Sequence, residues 1–347
     1  MSKKYYISVV GGTGLNFGLA SFISYIKTEG DDNGNKDYEF YVSSPYFDIF
    51  EACPYVDGVY KPQELKDLIF DANEYGGELI LHRLYDMDGF VKKQLNYSQA
   101  WAKLMNIPFT DTENGTKVKS ILKPLSKYPL TAQINNIKET ITKGGFKDFV
   151  IMQFTGGQSP LVQVPANEKG EADWSKVQYN YENEPLKRHY PIEKAQEFVD
   201  LYAKENPKTA IILFQLPNEP APRNNNTIQT VMPYLAYYEL AKEAKEVICI
   251  DSSLQHMVAG VCKTTVIWGH SISTDTKGDV TQINFGYSYN TNVVQPCRRW
   301  DILFFTALGA AGAKIDYIEP EELLDIVDNK EPGHIYCKID GGYKVND

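Results

Sequence analysis

Short β-branched or aromatic runs alternate along the whole chain with stretches whose apolar residues recur every three to four positions. Residues 5–10 read as a strand, Gly11-Gly12-Thr13-Gly14 as a tight turn, and 16–27 as a helix with Phe17, Ala20, Ser21 and Ser24 or Ile23 toward a sheet. Strands at 38–42 and 78–81, with helices around 48–52 and 62–73, continue an alternation that predicts a parallel sheet. Helices over 97–105 and 134–142 follow, separated by an irregular stretch, 110–133, whose interspersed lysines read as a solvated face.

Lys143-Gly144-Gly145 is the best boundary, and a strand at 149–154 with its own Thr155-Gly156-Gly157 turn opens a second α/β unit. A polar excursion at 159–184 leads to a helix over 192–205, a buried strand over 210–216 and a helix over 232–244. Strands at 247–250 and 264–268 enclose Leu254, Met257, Val258 and Val261 at helical spacing. The expected domains are residues 1–145 and 146–347, with the final helix, 320–327, expected to pack back on the first.

A chain of 347 residues that is 43% hydrophobic can build two cores of ordinary size. No apolar run approaches the roughly 20 residues of a membrane span, and the N-terminus enters a strand directly, so a soluble, cytoplasmic protein is expected. Five widely spaced cysteines without a C-x-x-C pair indicate free thiols. A net charge of −10 disfavours nucleic acid as a partner, although a local basic patch keeps it open. The five histidines contain no H-E-x-x-H and no acidic cluster has calcium-loop spacing, so no metal is expected. Tyrosines, 24 against 16 phenylalanines, suit interfaces and sugar faces.

Candidate chemistry collects where strands end. Asp251-Ser252-Ser253 stands between a strand and a helix, where open α/β sheets bind ligands and where N–H groups at a helix start receive anions. His256 falls in the first turn of that helix and is expected to face the same phosphate-bearing ligand. Lys187 and Arg188, before the helix at 192, suit a diphosphate, Arg by bidentate contacts and Lys as a point charge. Glu219, at another strand exit, could bind ribose hydroxyls. In the first half, Gly12, Thr13 and Gly14 allow close backbone approach, either as a plain turn or as a binding loop. The G-x-G-x-x-G fingerprint is incomplete because Phe17 takes its third glycine position. His82, Arg83, Asp86 and Asp88 form an acceptor site and general base, or a solvated loop.

Over residues 150–330 the sequence resembles the lipopolysaccharide heptosyltransferases, glycosyltransferase family nine. Arg188-His189-Tyr190-Pro191 is similar to the family's Lys-x-Trp-Pro, and residues 213–219 to its strand ending in an acid. Asp251-Ser252-Ser253-Leu254-Gln255-His256 is similar to Asp-Ser/Thr-Gly-x-x-His, ahead of a strand ending Trp268-Gly269. Gln295-Pro296-Cys297 and the helix at 320–327 resemble its Pro-Cys segment and closing helix.

The resemblance implies an α/β fold of two Rossmann-like, doubly wound domains facing a cleft, the GT-B architecture. It also implies an inverting, metal-independent glycosyltransferase with no cofactor beyond a nucleotide-diphosphate sugar. Donor contacts then fall to Gly156, Gly157, Lys187, Arg188, Glu219, Asp251, Ser252, Ser253 and His256. The acceptor, a carbohydrate or another hydroxyl compound, falls to Gly12, Thr13, Gly14, Asn16, His82 and Arg83. The family's opening turn, Gly-x-Gly-Asp, carries the base that deprotonates the acceptor. Leu15 occupies that position here and Asn16 follows, neither able to take a proton, so Asp86, Asp88 or His82 at the neighbouring strand exit is expected to supply the base, with the two aspartates the first candidates. Two other readings share the fold: glycosylation of a hydroxylated DNA base, and a catalytically silent nucleotide-sugar-binding protein.

Overall fold

Two sheets organise the chain in the computed structural model. It describes residues 2–81, 83–84, 87–91, 95–111, 115–123, 130–156, 190–215, 220–268, 272–274, 280–283, 286–294, 317–329, 333–339 and 342–346. The first sheet takes β1 (Lys3–Ser8), β2 (Tyr38–Ser43), β3 (Gly58–Tyr60) and β4 (Glu78–Ile80) in the order β3-β2-β1-β4, all parallel. Its helices are α1 (Thr13–Thr28), α2 (Phe47–Ala52), α3 (Leu65–Glu74), α4 (Asp88–Val91) and α5 (Tyr97–Leu104). A strand between two helical layers must be apolar on both faces. In β1, Tyr5 and Ile7 accordingly enter the main core while Tyr6 packs with Leu68 and Ala72 of α3.

α6 (Leu130–Lys143) leads into the second unit. There β5 (Asp148–Gln153) is followed by α7 (Ile192–Glu205), β6 (Thr209–Phe214), β7 (Thr227–Thr230) and α8 (Tyr234–Ala241). β8 (Val247–Ile250), α9 (Ser253–Met257) and β9 (Thr264–Trp268) come next, then a separate antiparallel hairpin of β10 (Ile272–Thr274) and β11 (Val280–Ile283). β12 (Thr291–Val294), α10 (Pro320–Asn329), β13 (Ile335–Ile339) and β14 (Gly342–Asn346) complete it. The sheet order is β14-β13-β12-β9-β8-β5-β6-β7, parallel except for the edge pair β13/β14. From β5 the chain winds outward through β6 and β7, then returns beside β5 with β8 and winds the other way, which is the doubly wound Rossmann order.

α10 corrects one expectation. It packs Leu323, Ile326 and Val327 with Phe198, Val199 and Tyr202 of α7, on the outer face of the second sheet, and not back on the first unit. Its apolar residues recur at helical spacing, and that stripe is the face it packs against α7.

The inner faces of both sheets share one apolar cluster, which runs from Tyr5 and Ile7 through α1 and α8 to Phe149 and Ile151. Residues 115–123 stitch the halves together. Thr116, Val118, Ser120 and Leu122 are buried in alternation with Lys117, Lys119, Ile121 and Lys123, which are not. Backbone N–H groups of Thr116, Ser120 and Lys123 donate to Gly286, Ala259 and Ala52 carbonyls at 2.9, 2.8 and 2.7 Å. Leu122 N–H donates to the Tyr238 hydroxyl at 2.9 Å, and the Tyr289 hydroxyl to Val118 O at 2.6 Å. The lysines expected to form a solvated face are therefore the outer half of a two-residue period.

Candidate functional site

In the second sheet β5 and β8 are neighbours from which the chain departs in opposite directions, so their C-terminal ends form a topological switch point. Gln153 to Gly156 leave β5 there and Asp251 to Ser253 leave β8. Ser252 caps α9 in extended conformation, its Oγ accepting from Leu254 N at 3.2 Å. The same Oγ donates to Gln153 Oε1, and Gln153 Nε2 donates to Thr155 O at 2.8 Å. Asp251 Oδ1 accepts from Gln255 Nε2 at 2.7 Å, which braces the elbow from behind. Gln153, Asp251 and Ser252 are all buried. Gly156 has φ +142°, and a Cβ there would lie 2.5 Å from Gln153 Nε2, so backbone and not side chain lines this wall.

α9 is one short turn, Ser253–Met257, where a helix reaching Val261 was expected. Dipoles of so few peptides sum to little. The case for an anion rests on the local N–H groups of the turn.

The first sheet has its own switch point, between β1 and β4. Gly11 to Gly14 leave β1; Leu81 and the exposed Arg83 follow β4. Val10 and Leu81, 53% and 47% exposed, give this rim an apolar edge. Asn16 is an internal tie: its Nδ2 donates to Gly12 O at 2.9 Å and its Oδ1 accepts from Ser44 Oγ at 2.5 Å. Its buried amide holds the turn in place and does not line the rim. Leu15 is buried in the core.

The two switch points face each other. An ideal Cβ on Gly14 would stand 3.7 Å from Ser253 Cα and 2.8 Å from His256 Cδ2. His256, 5% exposed, stacks on Tyr97 of α5 with ring centroids 5.3 Å apart and planes at 7°. Its Nδ1 lies 2.9 Å from the Tyr287 hydroxyl, whose ionisation burial pushes far upward, so the phenol stays neutral. The His256 ring is thus held between Tyr97 and the Gly14 position of the first unit and Tyr287 of the second.

Gly12, Thr13, Gly14, Gly156, Asp251, Ser252 and Ser253 thus meet around facing crevices. Asp88 opens α4. His82, Asp86, Gly157, Lys187, Arg188 and Glu219 lie outside the described residues. Gln153, Tyr97 and Tyr287 were missed. Gln153 ends an apolar run and gives no local signal, whereas the tyrosine excess pointed to interfaces without saying which rings form them.

Cys53, Cys249 and Cys262 are free thiols; burial raises all three, Cys262 to about 11, so none is a nucleophile at neutral pH. Among the described residues no group of three His, Cys, Asp or Glu could hold a metal ion, and no helix is long and apolar enough to cross a membrane.

No family model and no curated protein matches the chain. Solved structures do. A glycosyl transferase family 9 structure from Veillonella parvula matches with a TM-score of 0.56 at 10% identity, over 94% of this chain and 97% of that one. The E. coli ADP-heptose lipopolysaccharide heptosyltransferase II matches with a TM-score of 0.52 at 10% identity, again over 94% and 97%. At such identity the likeness is one of fold, and the fold is the one expected from the motif resemblance: two Rossmann-like units in the GT-B arrangement.

Proposed function

We propose that the chain transfers a sugar from a nucleotide-diphosphate sugar to an acceptor hydroxyl, by an inverting and metal-independent route. One observation carries this reading: the switch-point crevices of two doubly wound sheets face each other across Gly14 and Ser253. Each crevice is a ligand position in such sheets, and two opposed ones bring a donor and an acceptor together. The named activity of the E. coli structure, on an ADP-heptose, makes ADP the first nucleotide to test.

In the reaction the acceptor oxygen attacks the anomeric carbon opposite the diphosphate. The new C–O bond forms as the bond to phosphate breaks, the acceptor's proton passes to a base, and the diphosphate leaves with the bonding electrons. Charge growing on that leaving group needs preorganised donors. Lys187, Arg188 and the N–H groups of the Ser252-Ser253 elbow supply them, Asp251 braces the elbow, and Gly156 with Gly157 admits the phosphates closely. Glu219 takes the ribose hydroxyls. Gly12, Thr13, Gly14, His82 and Arg83 receive the acceptor, and Asp86 or Asp88 is the base. The protein works in the cytoplasm.

Calorimetric titration with ADP, UDP, GDP and CDP in the presence of a chelator tests the donor site; saturable binding of one of them supports it, and no binding of any removes it. With a competent sugar donor, Asp86→Asn and Asp88→Asn should separate the base from its neighbour. One variant loses transfer while its nucleotide affinity is unchanged. The anomeric configuration of the product, read by NMR, decides inversion.

Leu15 favours a second reading. A buried leucine stands where the resembling family carries its base, and donor binding without transfer is the outcome if neither aspartate substitutes. Saturable nucleotide-sugar binding with transfer and hydrolysis both at background would select it.

A further inference from the structure

His256 belongs to the donor-side elbow by sequence but is seated on the other unit. Gly14 and Gly18 lie one turn apart on the same face of α1, where side chains would otherwise stand. A Cβ on Gly18 would lie 1.7 Å from Tyr97 Cε1, and one on Gly14 would lie 2.8 Å from His256 Cδ2. The two missing side chains leave a shallow trough in α1. It is filled by the stacked pair of Tyr97, from α5, and His256, from α9. On its far side the imidazole meets the Tyr287 hydroxyl at 2.9 Å. Tyr287 is itself fixed to residues 115–123, since Gly286 O accepts from Thr116 N and Ser288 N donates to Thr116 O, both at 2.9 Å.

We propose that His256 is a positioning residue that couples the two crevices: seated in the trough at Gly14, it sets the attitude of the Asp251-Ser253 elbow relative to the acceptor turn. The proposal rests on the reading that this elbow holds the donor diphosphate. The lever is short. His256 is three residues past Ser253 within a single helical turn, so a displaced ring rotates the turn that Ser252 caps. Close-packed interiors transmit such a displacement because they have no slack to absorb it. Gly14 then acts on the donor from the opposite unit, without touching it.

The test is a cycle of Gly14→Ala, His256→Ala and the double variant, read by hydrogen exchange of the peptide spanning 250–257 and by ADP affinity. Gly14→Ala in the wild-type background should speed exchange at the elbow and weaken ADP binding on the order of tenfold, the scale of an overpacked contact. In the His256→Ala background, where the methyl enters vacated space, the same change should do almost nothing. Tyr287→Phe keeps the ring and removes one hydrogen bond, so it covers the case of a Gly14 variant that does not fold. It should give a smaller increase of exchange at the same peptide.

Equal effects of Gly14→Ala in both backgrounds would overturn the coupling, as would wild-type exchange at the elbow in both Gly14→Ala and Tyr287→Phe. If the exchange pattern holds and the wild type binds no nucleotide, the coupling stands and the donor assignment falls. If the wild type binds ADP and exchange is independent of residue 256, the donor assignment stands and the coupling falls.

Discussion

Ser252 Oγ and Gln153 Oε1 share a buried hydrogen bond between the exits of two adjacent parallel strands. Ser252 uses its oxygen twice, donating to Gln153 and accepting from Leu254 N, while Gln153 passes the constraint on to Thr155 O. The helix cap on β8 and the glycine turn on β5 are thereby fixed relative to each other, which gives the crevice a defined floor before any ligand arrives.

Gln153→Ala leaves the buried Ser252 hydroxyl without its Gln153 acceptor and takes one donor from Thr155 O. Stranding one buried polar group costs about 1–3 kcal/mol, so urea unfolding should show a loss of that size and ADP affinity should fall with it. Unchanged stability and affinity would mean that the floor does not depend on this bond.

Gly18→Ala pushes a methyl into the Tyr97 ring. Overpacking of this kind costs typically about 1–3 kcal/mol, and here it moves the ring on which His256 stacks. A lowered melting temperature, partly recovered by Tyr97→Leu, is the expected result; no change would show that α5 shifts aside freely.

Glu246 gives a pH dependence away from the site. It precedes β8 at the end opposite the elbow, accepts from the Tyr202 hydroxyl at 2.9 Å and lies 3.5 Å from Lys263 Nζ. Burial raises its carboxyl above the ordinary 4.5, outweighing the pull of the Lys263 charge. A raised acid takes up its proton more readily folded than unfolded. Its contribution is therefore full below 4.5 and is lost as pH rises through the raised folded value. Unfolding free energy measured against Glu246→Gln should fall for the wild type over that rise; parallel curves would refute the assignment.

Arg188→Ala should reduce transfer by about 2–4 kcal/mol of transition-state stabilisation if its guanidinium meets the departing diphosphate. The measurement is kcat for sugar transfer under donor saturation. An undiminished rate would take Arg188 out of the mechanism.

Most elements were legible locally because a strand or helix is written in its own period. The strands Val247–Ile250 and Thr264–Trp268 and the helix Ile192–Glu205 have the limits their apolar spacing indicates. The Asp251-Ser252-Ser253 elbow was legible too, since small polar residues between a buried strand and a helical run have few other uses. Residues 115–123 also carry a local signal. Their alternation is strand-like, but its hydrogen-bond partners, Ala52, Ala259 and Gly286, come from three distant segments and from no regular sheet.

The sequence by itself determined two α/β units and the polar exits of their strands, because periodicity and turn chemistry act over a few neighbouring residues. Only the tertiary structure decided which exits are adjacent. Gln153 matters because β5 lies beside β8, which no local pattern states. His256 is spaced to face a ligand, and only packing places its ring beside Tyr97 in the trough left by Gly14 and Gly18. A side chain's direction follows from its own helix, but what stands in that direction depends on packing between segments far apart in the chain.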